Sequence, residues 1–335
     1  MIAGSPARTA RLEDLIAGMP DARLVGDARA SVLGLAHDSR GVLPGSVFVA
    51  LRGERADGHA FLAQAAAAGA AALVMDAAFA RSGAARPALT TIVVPDTRRA
   101  LSALAAAFYG HPSATLDVVG VTGTNGKTTT TYLIQAILEA AGVRAGRIGT
   151  LGAAFGATLQ PLANTTPLSL ELQSMLASML ERGARAVAME VSSHALALDR
   201  VADVRFALGV LTNVTRDHLD FHATFDEYAA VKRRLFASAE RAVLNSDDAY
   251  GRRWAAELIA EGRVPLTYGI SADADVGATD VVARPGGSEF SVSGRRFELA
   301  LPGRFNVYNA LAALCVAREM GVDDACSARA FAQFE

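Results

Sequence analysis

Residues 120–131 read Gly-Val-Thr-Gly-Thr-Asn-Gly-Lys-Thr-Thr-Thr-Thr, between the apolar run Leu116–Val119 and the helical pattern Tyr132–Ala141. A glycine-rich turn that joins a strand to a helix opening on Lys-Thr suits a phosphate. Glycines let main-chain N–H groups crowd around phosphate oxygens, the helix start adds positive potential, and Lys127 supplies a full charge. Thr128 carries the hydroxyl expected to meet the Mg²⁺ of a bound nucleotide. The strict spacing of such loops asks for glycine at position 121, which is Val121; the glycines stand at Gly120, Gly123 and Gly126. An ordinary strand-to-helix turn is the alternative, and it leaves the run of loop residues in register between the two elements without a reason.

Further candidates sit where other strands end. Glu190 closes the apolar run Ala186–Met189 and leads into Val-Ser-Ser-His-Ala-Leu. A carboxylate at the carboxyl end of a parallel strand lies where such sheets bind ligands, and Mg²⁺ prefers hard oxygen donors. The plain alternative is a solvated acid at a strand end. After Phe206–Leu211, the stretch 212–222 gathers Asp217, His218, Asp220 and His222. Two histidines four apart can bind zinc from one helical face, but no third ligand of the usual spacing follows. His218 therefore reads either as a hydrogen-bonded structural residue or as part of a site beside the expected metal.

Lys232 is the most unusual single residue. Thr224-Phe-Asp-Glu227 is a capping box, and Phe225, Tyr228, Ala229, Leu235 and Phe236 mark a buried stripe at helical spacing. Position 232 falls on that stripe. A desolvated lysine amine has a lowered pKa and can capture CO₂ as a carbamate, which turns a cation into an anionic oxygen ligand. The spacing alone is met equally by a lysine that snorkels from the stripe's edge. Asn164-Thr165-Thr166-Pro167 precedes a helical pattern, with Thr166 reading as N-cap and Pro167 as first helical residue. A free amide and hydroxyl there also suit an anionic or sugar ligand. Asn306 reads as the N-cap of the last helix, and Asn309 as a partner for a base edge.

These residues need a scaffold of strands and helices. Val47–Leu51 and Thr91–Val94 read as buried strands, and Arg98–Tyr109 as a helix stopped by Gly110-His111-Pro112. That break divides the chain into domains 1–112 and 113–335. From Leu116 onward, apolar strands alternate with amphipathic helices: Leu116–Val121, Ala186–Val191, Phe206–Leu211 and Ala242–Leu244 are the strands. The pattern predicts an α/β fold with a mostly parallel sheet covered on both faces. Glu289–Val292 and Phe297–Leu301, joined through Ser293-Gly294, predict an appended β-hairpin.

Bulk properties bound the partners. A length of 335 residues exceeds one compact core, and a net charge of −2 makes no electrostatic case for nucleic acid or an anionic membrane. Hydrophobic residues reach 51%, but the nearest candidate span, 60–80, is alanine-rich and interrupted by Gln64, Gly69 and Asp76. The two cysteines, Cys315 and Cys326, imply neither a disulfide framework nor a metal cluster and suit a reducing cytoplasm. A cytoplasmic protein with no membrane partner is expected.

Taken together, several separated motifs resemble the Mur ligase family, ATP-dependent amide-forming enzymes of peptidoglycan precursor synthesis. They are Gly-Thr-Asn-Gly-Lys-Thr-Thr at 123–129, Glu-Val-Ser-Ser-His at 190–194, Asp-His-Leu-Asp at 217–220 and Phe-Asn-Val-Tyr-Asn-Ala at 305–310. Asn-Thr-Thr at 164–166 is most similar to the MurE type, which attaches the third peptide residue to UDP-N-acetylmuramoyl-alanyl-glutamate. Asp38-Ser39-Arg40 and Gly-Glu-Arg-Ala-Asp-Gly at 53–58 resemble that type's UDP-binding domain. The resemblance implies a UDP-substrate domain followed by a P-loop ATPase-like central domain.

It also implies residue roles. The loop Gly123, Thr124, Asn125, Gly126, Lys127, Thr128 and Thr129 would hold ATP, with Asn309 facing adenine. Thr128 and Glu190 would hold one Mg²⁺, and His218 with carbamylated Lys232 a second, which turns the reading of Lys232 toward the carbamate. Asn164, Thr165, Thr166, Ser192 and Arg200 would contact the UDP-muramoyl dipeptide, and Ser39, Glu54, Arg55 and Ala56 its uridine end. Leu198 stands where some relatives have glutamine. ATP would convert the glutamyl carboxylate to an acyl phosphate, which the amine of a diamino acid, meso-diaminopimelate or lysine, then attacks.

Relatives carry a third, amino-acid-binding domain, and this sequence ends about where that domain would begin. A monomeric fragment, inactive alone, is therefore expected. Rival readings are another Mur ligase, folylpolyglutamate synthetase, or a kinase-like P-loop protein that makes no amide bond. The last leaves a buried Lys232 unexplained.

Overall fold

A computed structural model of the protein describes residues 8–53, 56–215, 224–271 and 273–334. The chain divides into two compact units. The first holds residues up to Pro112 with Pro167–Ser178 and Leu198–Val204; the second holds Ser113–Thr166, Met179–Ala197 and the chain from Arg205 onward. The sequence reading places 167–178 and 198–204 with the later residues, whereas both segments pack in the first unit.

In the first unit, five strands lie in the order Arg23–Val25, Thr91–Val94, Ala72–Asp76, Ser46–Val49, Gly34–Ala36. The last four run parallel, and Arg23–Val25 is antiparallel to its neighbour. Val47, Val49, Val74 and Ile92 are fully buried against Leu101 and Leu104 of the helix Thr97–Phe108. Asp96 caps that helix by accepting from Arg98 N and Arg99 N. Gly110 and His111, both at positive φ, end its path.

The second unit is built on an eleven-stranded sheet. Its parallel centre runs Ala145–Gly149, Ala186–Glu190, Asp117–Thr122, Phe206–Leu211, Ala239–Asn245, Leu266–Gly269, Val276–Arg284. Two antiparallel strands, Gly152–Phe155 and Thr158–Gln160, extend one edge; the hairpin Gly287–Val292 and Arg295–Leu299 extends the other. Val118, Val119, Val187 and Ala188 have no exposure, as expected of strands covered on both faces. The helix Lys127–Ala140 covers one face with Leu133, Ile134 and Ile137, joined there by the helix Arg304–Glu319. A further helix, Asp324–Ala332, lies beyond the last one read from the sequence.

Every strand carrying a candidate residue delivers it at its carboxyl end, where parallel sheets open to ligands. Among the described residues no helix is long and apolar enough to cross a membrane.

One pair in the first unit makes stability depend on pH. His37 Nε2 lies 2.9 Å from Glu171 Oε1. That hydrogen bond raises the imidazole above its ordinary 6.5 despite burial. Burial pushes the Glu171 carboxyl up, but the bond and charge of His37 outweigh it and hold it below its ordinary 4.5. The His37 contribution is full below pH 6.5 and is lost as pH rises through the raised folded value. The Glu171 contribution is full above pH 4.5 and is lost as pH falls through the lowered one. Urea denaturation of wild type and Glu171→Gln should therefore differ most between those values and by less at alkaline pH, where the His37 contribution is gone. A difference independent of pH would contradict the assignment.

Candidate nucleotide and metal site

The strand Asp117–Thr122 and the helix Lys127–Ala140 enclose the loop foreseen from the sequence. Gly126 caps the helix at φ +87°, and a Cβ there would stand 2.3 Å from Asn309 Oδ1. The first helical bond runs from Thr130 N to Gly126 O, so the N–H groups of the first turn have no acceptor within the helix. Two amides expected to face phosphate do something else. Thr124 N donates to Asn213 O at 2.9 Å, and Asn125 N to Asn213 Oδ1 at 3.0 Å. Thr212 Oγ1 and Asn213 Nδ2 return bonds to Asn125 O at 2.6 and 3.1 Å.

Thr124 Oγ1 is likewise turned inward. It accepts from Thr215 N at 2.9 Å, donates to Thr215 O at 3.0 Å and meets Tyr228 Oη at 3.1 Å. The neighbouring strand's end therefore fixes the loop's shape, and the donors left for an anion belong to the helix start. Lys127 Nζ folds over the loop, donating to Gly123 O and Thr124 O at 2.9 Å each.

Glu190 is 1% exposed, so it is no solvated acid. Its Oε1 accepts from Thr128 Oγ1 at 2.9 Å and Thr150 N at 2.8 Å, and Oε2 accepts from Thr150 Oγ1 at 3.2 Å. A carboxylate and a hydroxyl this close to the helix start are hard oxygen donors of the kind Mg²⁺ takes, and the two residues fit that ion. Among the described residues no group of three or more histidine, cysteine or acid side chains could hold a metal by itself.

Lys232, on the helix Phe225–Ser238, is also 1% exposed, which rules out snorkelling. Its Nζ donates to Gly123 O at 2.9 Å and stands 4.5 Å from the centre of the Tyr228 ring. The helix begins as its capping box requires, with Thr224 Oγ1 accepting from Glu227 N at 3.1 Å.

A cavity of about 670 Å³ opens beside the loop and is lined by Asn125, Gly126, Thr129, Asn245, Asp247 and Asn309 among others. Asn309 is buried, with its Nδ2 donating to Asn306 Oδ1 at 3.0 Å and its Oδ1 accepting from Thr130 Oγ1 at 3.4 Å. Asn306 is not the N-cap expected. Gly303 holds that place, and Asn306 Nδ2 bonds Pro302 O at 2.9 Å. The sequence reading missed Asn245, Asp247 and Asp248 on this cavity. Asn245 ends the strand Ala239–Asn245 and the two acids follow directly after it, so the rule that singled out Glu190 would have found them.

Thr166 is fully buried but does not cap a helix. The helix starts at Ser169, with Leu172 N bonding Leu168 O, and Thr166 Oγ1 instead donates to Glu190 O at 2.8 Å. Ser192 N donates back to Thr166 Oγ1 at 3.1 Å, and Thr165 Oγ1 meets Thr150 Oγ1 at 3.1 Å. Thr165, Thr166 and Ser192 thus gather around Glu190 in the second unit, with Asn164 exposed next to them in the chain. Ser39, Ala56 and Arg200 belong to the first unit, where Ser39 Oγ donates to Gln64 Oε1 at 3.1 Å. Burial holds the Arg200 guanidinium below its ordinary value. Glu54, Arg55, Asp217, His218, Asp220 and His222 lie outside the described residues.

A strand, a glycine loop and a lysine-threonine helix start on a parallel sheet define a phosphate-binding protein. More narrowly, the chain belongs to the Mur ligase family. Residues 121–317 match the Mur ligase middle domain, and residues 31–109 match the domain described as Mur ligase family, catalytic domain. It is 42% identical over 333 residues to a protein of Geobacter sulfurreducens named UDP-N-acetylmuramoyl-L-alanyl-D-glutamate–2,6-diaminopimelate ligase, with 93% of this chain and 62% of that one covered. A protein of the same name from Syntrophomonas wolfei is 40% identical, with 97% and 67% covered. The chain thus spans a little under or about two thirds of these relatives' length. Among solved structures, one of the same name is similar at TM-score 0.83 and 28% identity, covering 98% of this chain and 67% of that one. MurF of Acinetobacter baumannii, at TM-score 0.71 and 22% identity with 99% and 69% covered, shares the fold.

The backbone at Gly126 supplies a test of the loop. Left-handed backbone costs a side chain about 1–2 kcal/mol. Gly142 has φ +79° with nothing within 4 Å of a Cβ, whereas Gly126 at φ +87° abuts Asn309. Gly142→Ala should therefore show the strain cost alone in denaturant unfolding. Gly126→Ala should lose more stability and also weaken binding of a non-hydrolysable ATP analogue. Equal losses for the two variants would mean that the Asn309 contact is slack.

Proposed function

We propose that this chain carries the UDP-substrate-binding and ATP-binding parts of a cytoplasmic ligase of peptidoglycan precursor synthesis. The reaction joins meso-diaminopimelate, or L-lysine, to the glutamyl carboxyl of UDP-N-acetylmuramoyl-L-alanyl-D-glutamate and releases ADP and phosphate. The γ-phosphoryl group passes from ATP to a carboxylate oxygen. The amine then attacks the acyl carbon, phosphate leaves, and the amine gives up a proton.

The observation that carries this reading is the burial of the Lys232 amine against Gly123 O, beneath the phosphate loop. A protein that only bound or hydrolysed nucleotide has no use for it. Captured CO₂ would make it an anionic oxygen donor, with His218 as its partner toward a second ion. Lys127 and the first-turn amides would hold the phosphates, and Thr128 with Glu190 would hold Mg²⁺. Bound Mg²⁺ offsets the charge that builds up when two anionic reactants meet. The positive helix start and Lys127 act on the same charge, and alignment lowers the entropic part of the barrier. Asn309 would meet adenine in its cavity. Thr165, Thr166, Ser192 and Arg200 would hold the muramoyl peptide, and Ser39 with residues 54–56 the uridine. The chain is proposed to act as a monomer.

Calorimetry on the 335-residue chain tests this. It should bind both Mg²⁺ with a non-hydrolysable ATP analogue and UDP-N-acetylmuramoyl-L-alanyl-D-glutamate. Binding of nucleotide without the UDP-sugar would favour the kinase-like reading. Glu190→Gln should weaken the Mg²⁺-dependent part of nucleotide affinity by about tenfold or more. In ¹³C-bicarbonate buffer, wild type should show a carbamate carbon resonance that Lys232→Met lacks; a spectrum without it would remove the carbamate from the mechanism.

A further inference from the structure

The helix Arg304–Glu319 brings an aromatic ring to the cavity beside the phosphate loop. Phe305, Tyr308 and Asn309 stand at i, i+3 and i+4, so they share one face of that helix, and all three line the cavity. Two of them are tied down. Tyr308 Oη donates to Asp247 Oδ2 at 2.7 Å, and Asn309 is buried and bonded to Asn306 and Thr130. Phe305 is 68% exposed. An apolar side chain at the surface is ordinary by itself. What sets this one apart is the place its ring is given.

Gly303, the N-cap, makes room for that ring. It has φ +98°, and a Cβ on it would stand 2.7 Å from Phe305 Cε1. Any other residue there would meet the ring and strain the backbone. Gly126 and Thr129, at the helix start that follows the phosphate loop, line the same cavity. A ligand whose phosphates meet that helix start carries its next group into this space. Among the described residues the charged ones on the cavity wall are Asp247 and Asp248, both acids. The group received there is therefore not a further anion, and an exposed ring beside a buried amide suits a flat one.

We infer that Phe305 stacks on the base of the bound nucleotide. The ring offers a π face for the base to cover, and stacking holds a base without regard to its hydrogen-bonding edges. Asn309, one helical turn further on, is left to meet an edge. This rests on the proposed function, which assigns the cavity and Asn309 to adenine, and it adds the residue that supplies affinity for the base.

Calorimetry on the whole chain with Mg²⁺ and two probes, a non-hydrolysable ATP analogue and inorganic tripolyphosphate, separates base from phosphate. Phe305→Ala should weaken the ATP analogue about tenfold and leave tripolyphosphate within about twofold of wild type. Phe305→Tyr, which keeps the ring, should stay within about threefold of wild type for both probes. The chain has 1 tryptophan, Trp254, which is buried, so Phe305→Trp adds an exposed reporter. Its fluorescence should be quenched by the ATP analogue and not by tripolyphosphate. Unchanged ATP-analogue affinity in Phe305→Ala, equal losses for the two probes, or an unquenched Phe305→Trp would overturn the stacking role. Wild type that binds tripolyphosphate as tightly as the ATP analogue would instead overturn the assignment of the cavity to adenine.

Discussion

Two charged side chains withdrawn from water at one edge of a parallel sheet set the terms for the second unit. Lys232 and Glu190 are each 1% exposed. An ion moved out of water costs several kcal/mol unless hydrogen bonds replace its hydration. Each is compensated by the phosphate-loop segment: Lys232 by Gly123 O, Glu190 by Thr128 Oγ1 at the helix start and by Thr150 from the adjoining strand's end. A change in the loop's shape would break a bond to each of these side chains. A glycine-rich segment, entropically free to wander, is in this way held in one conformation before any ligand arrives, and pre-organised dipoles need no rearrangement when charge develops.

The same logic explains why the neighbouring strand, rather than phosphate, takes the amides of Thr124 and Asn125. A loop whose donors all faced outward would depend on its ligand for shape. Asn213 and Thr215 supply acceptors from protein, so the anion has only to satisfy the helix start. The cost is two fewer donors for phosphate. Lys127, reaching two loop carbonyls from the first helical position, sits where its charge can make up for them.

Much of this was legible from residue order. Continuous apolar runs located these strands, because a strand buried on both faces must be continuously apolar; the runs Phe206–Leu211 and Thr91–Val94 coincide with the strands to the residue. Thr224 announced its helix because the cap is a local bond. The strands Gly152–Phe155 and Thr158–Gln160 carry no such signal, being only 4 and 3 residues long. Thr166-Pro167 misled, because a hydroxyl with a good local partner found a better distant one in Glu190 O. Segments 167–178 and 198–204 join the first unit through contacts such as Gln173 Nε2 to Asp203 O and Asp203 N to Ser102 Oγ, which no spacing rule reveals. The buried state of Lys232 was also a feature where spacing admitted two answers, because a place on the stripe does not say whether the amine at the end of the side chain reaches water.

The Arg52–Asp57 bridge and the phosphate loop are braced in a similar way, each within its own unit. Both follow a strand of a parallel sheet, where ligand-binding loops gain access to solvent and lose the support of the ladder. Both recover that support from a polar side chain of the next strand's end: Asn213 for one, Asp76 for the other. In each case the brace uses the backbone as well as the side chain, with Asn213 O and Oδ1 accepting, and Asp76 N donating while its carboxylate holds Arg52. A brace of that kind resists both sliding and twisting of the loop, because two bonds at different angles must break together. The residues that give each loop its rigidity lie one strand away from it.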